Sequence, residues 1–248
     1  MHPLTPAAPP IAMLHYVFDD SNDVLPDWFI SRRSFLQLLD TLDEAQFKTT
    51  HFLEFNDSGR KGDISGKVIL SFDDGAKHLF DFAIPELVKR DMKAVFFMPT
   101  AFIGGCNEWD IQKGAKKIAL MDESDLKELV RLGMEVGSHA HRHIALRDVS
   151  DEKQLRDEIA GSKKILEDIT GQPVYSFAYP FGSVPVQYKT LLKDAGYRFG
   201  VSIYQPFESR LALRRFGVYE TDTPFSLRRK CSGRYRWMRK FFDVIKND

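Results

Sequence analysis

Short apolar runs alternate with amphipathic helical stretches along most of this 248-residue chain, and this alternation limits the possible folds more than any other feature. Runs rich in β-branched and aromatic residues predict strands, here at residues 11–18, 50–55, 68–72, 94–99, 134–139, 175–180, 198–203 and 213–218. Apolar side chains at helical spacing predict helices at residues 31–43, 124–133 and 150–171. Strands that alternate with helices form a mostly parallel sheet. We therefore predict an α/β fold, either a β/α barrel or a related open sheet.

No linker or internal repeat divides the chain, so residues 11–248 are predicted to form one domain behind a flexible lead at residues 1–10. The 35 acidic and 35 basic residues give zero net charge, which argues against a nucleic-acid partner. Two cysteines, Cys106 and Cys231, are too few for a disulfide framework and indicate a reducing compartment. Neither a signal-peptide pattern nor a membrane-spanning apolar run is present, so we expect a cytoplasmic protein.

The segment 227–240, LRRKCSGRYRWMRK, carries seven basic residues and no acidic one, with aromatic residues between them. One interpretation is a C-terminal helix that packs its aromatic side chains on the domain and leaves the basic ones in water. The other is a peripheral contact with an anionic surface, such as membrane headgroups or a lipid-diphosphate carrier. The sequence carries no signal for the oligomeric state.

The stretch SFDDG at residues 71–75 ends a predicted core strand with two adjacent carboxylates, Asp73 and Asp74. An Asp-Gly pair is common in turns, which is the simplest explanation. Neighbouring carboxylates nevertheless repel each other, and they are tolerated when a cation lies between them or when one is protonated. The pair therefore suggests a cation site at the end of this strand.

Three of the seven histidines, His139, His141 and His143, lie within five residues in the stretch VGSHAHRHIAL. In a helical turn, His139 and His143 would share one face and His141 would point elsewhere. In a strand all three would share a face, so His141 remains a competing ligand. Two imidazoles with one carboxylate form a metal site that leaves positions open for water or substrate.

A third polar stretch, FAYPFGSV at residues 177–184, follows another predicted strand and contains Pro180 and Gly182. These residues are typical of a structural turn. Such a turn would also direct backbone N–H groups toward a site at the end of the strand.

Together, SFDDG, SHAHRH and YPFG resemble in order and spacing the first three motifs of the NodB-homology polysaccharide deacetylases, carbohydrate esterase family 4, over residues 66–203. The resemblance implies a single-domain distorted (β/α) barrel. It also implies a divalent metal ion, zinc first, with cobalt, nickel or manganese as alternatives. The implied roles are the catalytic base for Asp73, metal ligands for Asp74, His139 and His143, and an oxyanion-stabilising backbone N–H for Phe181.

Two features depart from the family pattern. No histidine follows His143 to serve as the late general acid, and Ala178 replaces the usual arginine of the third motif. The N-terminal stretch IAMLHYVFDD resembles a circularly permuted subgroup that deacetylates poly-N-acetylglucosamine, and this makes His15 the candidate general acid. A half-buried strand histidine is the simpler explanation of His15, and His78 is a weaker candidate acid.

For the missing arginine, we consider Arg214 and Arg215 in RLALRRFGV. Alternation along a strand lets only one of the two point inward, and we favour Arg215 as the residue that orients Asp73 and keeps it ionised. A solvated pair of arginines is the competing interpretation.

The predicted function is hydrolysis of the N-acetyl amide of an amino sugar, in a nucleotide- or lipid-linked precursor of surface polysaccharide, O-antigen or exopolysaccharide. The loop at residues 103–120, which contains Trp109, is expected to cover the site. One alternative is a hydrolase of a non-sugar amide or a cyclic ureide. The other is a catalytically silent carbohydrate-binding homologue, which the missing histidine and Ala178 would suit.

Overall fold

A computed structural model describes residues 8–19, 28–57, 64–112, 114–203, 208–232 and 235. The strands are β1 (Ile11–Leu14), β2 (Tyr16–Phe18), β3 (Phe29–Ser31), β4 (Lys48–Thr50), β5 (Lys67–Phe72), β6 (Val95–Met98), β7 (Glu135–Ser138), β8 (Ser176–Ala178), β9 (Phe199–Val201) and β10 (Phe216–Gly217). The α-helices are α1 (Arg32–Glu44), α2 (Phe52–Asp57), α3 (Ala83–Lys89), α4 (Glu108–Ile111), α5 (Glu123–Arg131), α6 (Glu152–Arg156), α7 (Ser162–Thr170), α8 (Tyr188–Asp194) and α9 (Pro224–Cys231). Most of the predicted lead and of the basic segment beyond Ser232 lies outside the described residues.

Eight of these strands form one sheet in which every pairing is parallel. The order is β10-β1-β5-β6-β7-β8-β9, and β4 pairs with the first half of β5. The sheet curls until its two ends approach each other, where Val201 of β9 forms a parallel bridge with Leu213, just before β10. The predicted α/β fold is confirmed as a distorted (β/α) barrel.

The strands are buried on both faces, as parallel strands covered by helices must be. One set of alternating side chains fills the inside of the curl, among them Ile69, Val95 and Phe199. The other set packs against the surrounding helices, including α1, whose predicted apolar stripe is fully buried. The barrel thus provides a rigid support for the loops at the carboxyl ends of its strands.

The strand predicted at residues 50–55 is wrong, because the chain leaves the sheet after Thr50 and forms the short helix α2. The Phe52 ring packs 5.0 Å from that of Phe199, at the floor of the barrel. There the buried carboxylate of Glu135 accepts a hydrogen bond from the backbone N–H of Leu53 at 3.0 Å. A helix start needs acceptors of this kind for its free N–H groups.

Other boundaries also differ from the predictions. The strand predicted at 11–18 is broken at His15 into β1 and β2, which belong to different sheets. The helix predicted at 150–171 is interrupted by a π-helical turn, Asp157–Gly161. Helix α5 begins one residue before the predicted start at residue 124, because the Asp122 side chain caps it by accepting hydrogen bonds from two backbone N–H groups of the first turn.

The predicted strands at 175–180 and 213–218 shorten to β8 and β10. Among the described residues, no helix has the length and apolar character needed to cross a membrane.

Candidate active site

The polar motifs all follow strands of the same parallel sheet. Asp73 and Asp74 follow β5, His139 follows β7 and His15 follows β1. The carboxyl ends of parallel strands meet at one edge of a barrel, so the topology brings these side chains together. They are also buried, apart from partial exposure of His15.

Asp74, His139 and His143 form a compact group that could hold a metal ion. One ligand atom from each residue lies within 4.8 Å of the other two. Oδ1 of Asp74 is 3.5 Å from Nε2 of His139 and 3.3 Å from Nε2 of His143. Two imidazole nitrogens and one carboxylate oxygen are a ligand set typical of catalytic zinc and related ions.

Hydrogen bonding around the group fits a cation. Oδ1 of Asp74 is buried and meets no hydrogen-bond donor within the described part of the chain. Nδ1 of His139 lies 2.8 Å from the carbonyl oxygen of Ala178, and because a carbonyl only accepts, Nδ1 carries a proton and Nε2 is the nitrogen left to bind an ion. Burial alone would raise the pKa of Asp74, but without a metal ion the protonated forms of the two imidazoles hold that pKa well below its usual range. The carboxylate is therefore charged and ready to bind a metal.

One of our predictions placed His139 and His143 on one face of a helical turn, and that prediction is wrong. Ala140 and His143 have positive φ angles of 62° and 52°, so the segment is an irregular loop. His141 points away from the group, with Nδ1 2.9 Å from the hydroxyl of Thr100. Asp74 and Phe181 also have positive φ angles, 71° and 56°. A non-glycine residue with a positive φ angle destabilises the folded state by about 1–3 kcal/mol, and such backbone conformations are concentrated at functional sites.

Asp73 is held by a buried arginine. Arg215, rather than Arg214, contacts it, and both guanidinium-to-carboxylate distances are 2.6 Å. The same guanidinium donates to the hydroxyl of Ser71 at 3.2 Å. Burial would raise the pKa of Asp73, but the charge of Arg215, followed by that of His139, outweighs it and lowers the pKa. Asp73 is therefore an ionised carboxylate beside the candidate metal group.

His15 lies on the other side of Asp73, with Nε2 3.8 Å from Oδ2. Its side chain is 16% exposed and borders a small surface hollow, which Trp28 and Tyr219 also line. His78, the weaker candidate acid, instead stacks its ring on Phe18 at 4.5 Å. His15 thus has both the proximity to Asp73 and the partial access to solvent that a proton donor needs.

Two aromatic residues enclose the His143 ring. Trp109, in the loop predicted to cover the site, stacks on it with a centroid distance of 4.2 Å. Phe181 meets it edge to face at 4.7 Å and is 51% exposed. Phe181 is therefore at the site, while the role of its backbone N–H remains a prediction.

Sequence reasoning missed two residues of the site. The Tyr16 hydroxyl donates to Oδ2 of Asp74 at 2.9 Å, opposite the candidate metal position at Oδ1. Glu158 is 1% exposed and accepts hydrogen bonds from the backbone N–H groups of His141 and Arg142. Tyr16 adjoins His15, yet an unbroken strand would point the two side chains in opposite directions. For Glu158, the only signal was a carboxylate next to the apolar stripe of a helix.

Comparison with known proteins gives one family. The family model described as polysaccharide deacetylase matches residues 60–200. A poly-β-1,6-N-acetyl-D-glucosamine N-deacetylase of Staphylococcus aureus is 24% identical over 200 residues, which are 76% of this chain and 65% of that protein. YxkH of Bacillus subtilis, whose name assigns it provisionally to the polysaccharide deacetylases, is 28% identical over 152 residues, 61% of this chain and 48% of YxkH.

The fold is shared with the Streptococcus pyogenes deacetylase PplD, solved in complex with acetate, at a TM-score of 0.76 and 21% identity over 92% of this chain and 100% of that one. The chain spans about half to two thirds of the length of the two curated relatives. The family match covers more than half of the chain and contains all three motifs. The chain belongs to the polysaccharide deacetylase family.

Proposed function

We propose that this protein is a metal-dependent hydrolase that removes the N-acetyl group from an amino sugar of a surface polysaccharide or its precursor. The family match and the poly-N-acetylglucosamine deacetylases among its relatives support this substrate class. The observation that carries the proposal is the position of Asp73. It is paired with Arg215, lies 3.8 Å from His15 and adjoins the metal-binding candidate Asp74.

Asp74, His139 and His143 would hold the divalent ion, and we propose zinc because the two-imidazole, one-carboxylate set suits it. Such an ion lowers the pKa of a bound water to roughly 7 and polarises a carbonyl. Tyr16 would keep the Asp74 carboxylate turned toward the ion through its hydrogen bond to Oδ2.

Asp73 would take the proton from the water that attacks the amide carbonyl. Arg215 keeps Asp73 ionised and fixes the plane of its carboxylate through two hydrogen bonds. His15 would donate a proton to the departing sugar nitrogen as the C–N bond breaks, which releases acetate and the free amine. General acid–base steps of this kind contribute about 10²–10⁴ to a rate.

We further propose that the substrate is nucleotide- or lipid-linked and that the reaction takes place in the cytoplasm. The low cysteine content supports a reducing compartment. The basic segment 227–240 would then give a peripheral contact with membrane headgroups or a lipid diphosphate. Charge reversal at Arg234, Arg236 and Arg239 should abolish binding to anionic vesicles, and unchanged binding would refute this contact.

The experiment uses the zinc-loaded protein and measures acetate released from a β-1,6-linked N-acetylglucosamine oligosaccharide, ring opening of a cyclic ureide, and nitrophenolate released from 4-nitrophenyl acetate. We expect turnover of the oligosaccharide and none of the ureide. His15→Ala should lose about 10²-fold or more on the oligosaccharide. It should retain turnover of the nitrophenyl ester, because that leaving group departs without a proton. Turnover of the ureide alone, or of no amide at all, would overturn the proposed function.

A further inference from the structure

We propose that Glu158 is a positioning residue that fixes the segment from His139 to His143 and so sets the distance between the two imidazoles. The inference rests on the proposed metal site, but it concerns how this chain builds that site before any ion binds.

The segment is held on one side by main-chain bonds alone. The carbonyl of Ala140 accepts from the N–H of Thr100 at 3.2 Å, and the carbonyl of His141 accepts from the N–H of Ala101 at 2.8 Å. These bonds need no particular side chain, since both partners are backbone groups. The carbonyls of the segment would therefore stay paired in any variant that keeps the fold.

On the other side, two successive N–H groups depend on a single carboxylate oxygen. Oε2 of Glu158 accepts from the N–H of His141 at 3.0 Å and from the N–H of Arg142 at 2.8 Å. Oε1 accepts from Nε of Arg142 at 2.6 Å. Glu158 is 1% exposed, whereas the Arg142 side chain is 50% exposed. Without Glu158, two N–H groups whose hydrogen bonds are partly buried would lose their partner, and an unpaired N–H that is shielded from water is costly.

The helix that carries Glu158 is distorted at this position. Asp157–Gly161 forms a π-helical turn between α6 and α7. A π turn widens the helix by one residue and is frequent at functional sites. This is the only π turn within the described residues, and it coincides with the carboxylate that reaches the histidine segment.

The two imidazoles do not depend on the segment equally. His139 is fixed by the sheet, since its N–H donates to the carbonyl of Met98 at 3.0 Å and its Nδ1–H donates to the carbonyl of Ala178. His143 lies at the far end of the segment, beyond the strained Ala140, and itself has a positive φ angle. Release of the two N–H groups would let these unfavourable angles relax. We therefore expect His143, and not His139, to move when Glu158 is lost.

The first test measures the affinity for zinc alone, by competition with a chelator, in the wild type and in Glu158→Ala and Glu158→Gln. Glu158→Ala should bind zinc about 10- to 100-fold more weakly, as is usual when a group that orients metal ligands is removed. Glu158→Gln should stay within about threefold of the wild type, because one amide oxygen can accept from both N–H groups. Glu152→Ala is the matched control: it removes an exposed carboxylate from the same helical region, paired with Arg156, and should leave the affinity unchanged.

The second test needs no metal and no activity. Amide hydrogen exchange of the metal-free proteins should show faster exchange at His141 and Arg142 in Glu158→Ala, with little change in Glu158→Gln or at His139. A wild type that binds no divalent ion would refute the proposed function, while the exchange pattern would still decide this inference. Zinc affinity or exchange rates in Glu158→Ala equal to the wild type would overturn it. Equal loss in the alanine and glutamine variants would also overturn it.

Discussion

The buried pair of Arg215 and Asp73 gives the sharpest prediction about stability. In Arg215→Met the side chain keeps much of its length and loses its charge, so the Asp73 carboxylate stays buried without a cation. The side chains of the pair are 1% and 3% exposed, and both contacts are 2.6 Å. Removal of one partner of such a pair costs about 3–5 kcal/mol. We expect that loss in the free energy of unfolding, measured in urea on the metal-free protein.

A surface pair supplies the control. Arg228 contacts Glu44 at the same 2.6 Å, but those side chains are 50% and 63% exposed. Arg228→Met should cost no more than about 1 kcal/mol. The double variant Arg215→Met/Asp73→Asn should regain most of the stability lost in Arg215→Met, because it no longer buries a lone charge.

The same substitution should change the dependence of activity on pH. The pKa of Asp73 is lowered chiefly by Arg215 against the effect of burial, so it rises when the guanidinium is removed. The acidic limb of the rate profile should therefore move to higher pH in Arg215→Met. Equal destabilisation by Arg215→Met and Arg228→Met, with an unmoved acidic limb, would show that Arg215 does not hold Asp73 in its ionised form.

Three further predictions concern single residues around the site and the barrel floor. Tyr16→Phe removes the hydrogen bond to Oδ2 of Asp74 and should weaken zinc binding by about 10- to 100-fold, measured by competition with a chelator. Unchanged zinc affinity would contradict the role given to Tyr16. Burial raises the pKa of Glu135 from 4.5 to about 7, so the folded state holds a proton that the unfolded state releases above pH 4.5. As pH rises from 4.5 through 7, the free energy of unfolding of the wild type should fall by about 3 kcal/mol relative to that of Glu135→Gln. Urea unfolding at several pH values in this range measures the difference. A difference that does not change with pH would exclude the raised pKa. Ala140→Gly relieves the strain of a positive φ angle, whereas Ala178→Gly makes a strand more flexible in the unfolded state. Thermal or urea unfolding should therefore show the Ala140→Gly variant to be more stable than the Ala178→Gly variant by about 1 kcal/mol or more. The reverse order would show that Ala140 is not strained.

The parallel sheet explains why much of the site could be predicted from the sequence. Once SFDDG and the histidine cluster were placed after strands, a parallel topology required them to meet at one edge. Alternation along a strand lets only one of Arg214 and Arg215 point inward, and Arg215 is the residue that contacts Asp73. These inferences needed only the period of a strand and the direction of the sheet.

The remaining features depend on partners that are distant in sequence. Residues 50–55 carry apolar side chains that suit either a strand or a short helix. The helix is favoured because the carboxylate of Glu135 accepts a hydrogen bond from the backbone N–H of Leu53. The loop conformation of His139 to His143 depends on Glu158 and on a π turn that no periodicity reveals. Tyr16 reaches Asp74 only because the first predicted strand breaks at His15.

The proposed reaction depends above all on Asp73 acting as the base beside an ion held by its neighbour Asp74. The most direct measurement is acetate release from a β-1,6-linked N-acetylglucosamine oligosaccharide by wild type and Asp73→Asn, each with its bound zinc quantified. We expect equal zinc content and a rate lowered by about 10²–10⁴-fold in the variant. Acetate release at the wild-type rate by zinc-loaded Asp73→Asn would contradict this role of Asp73.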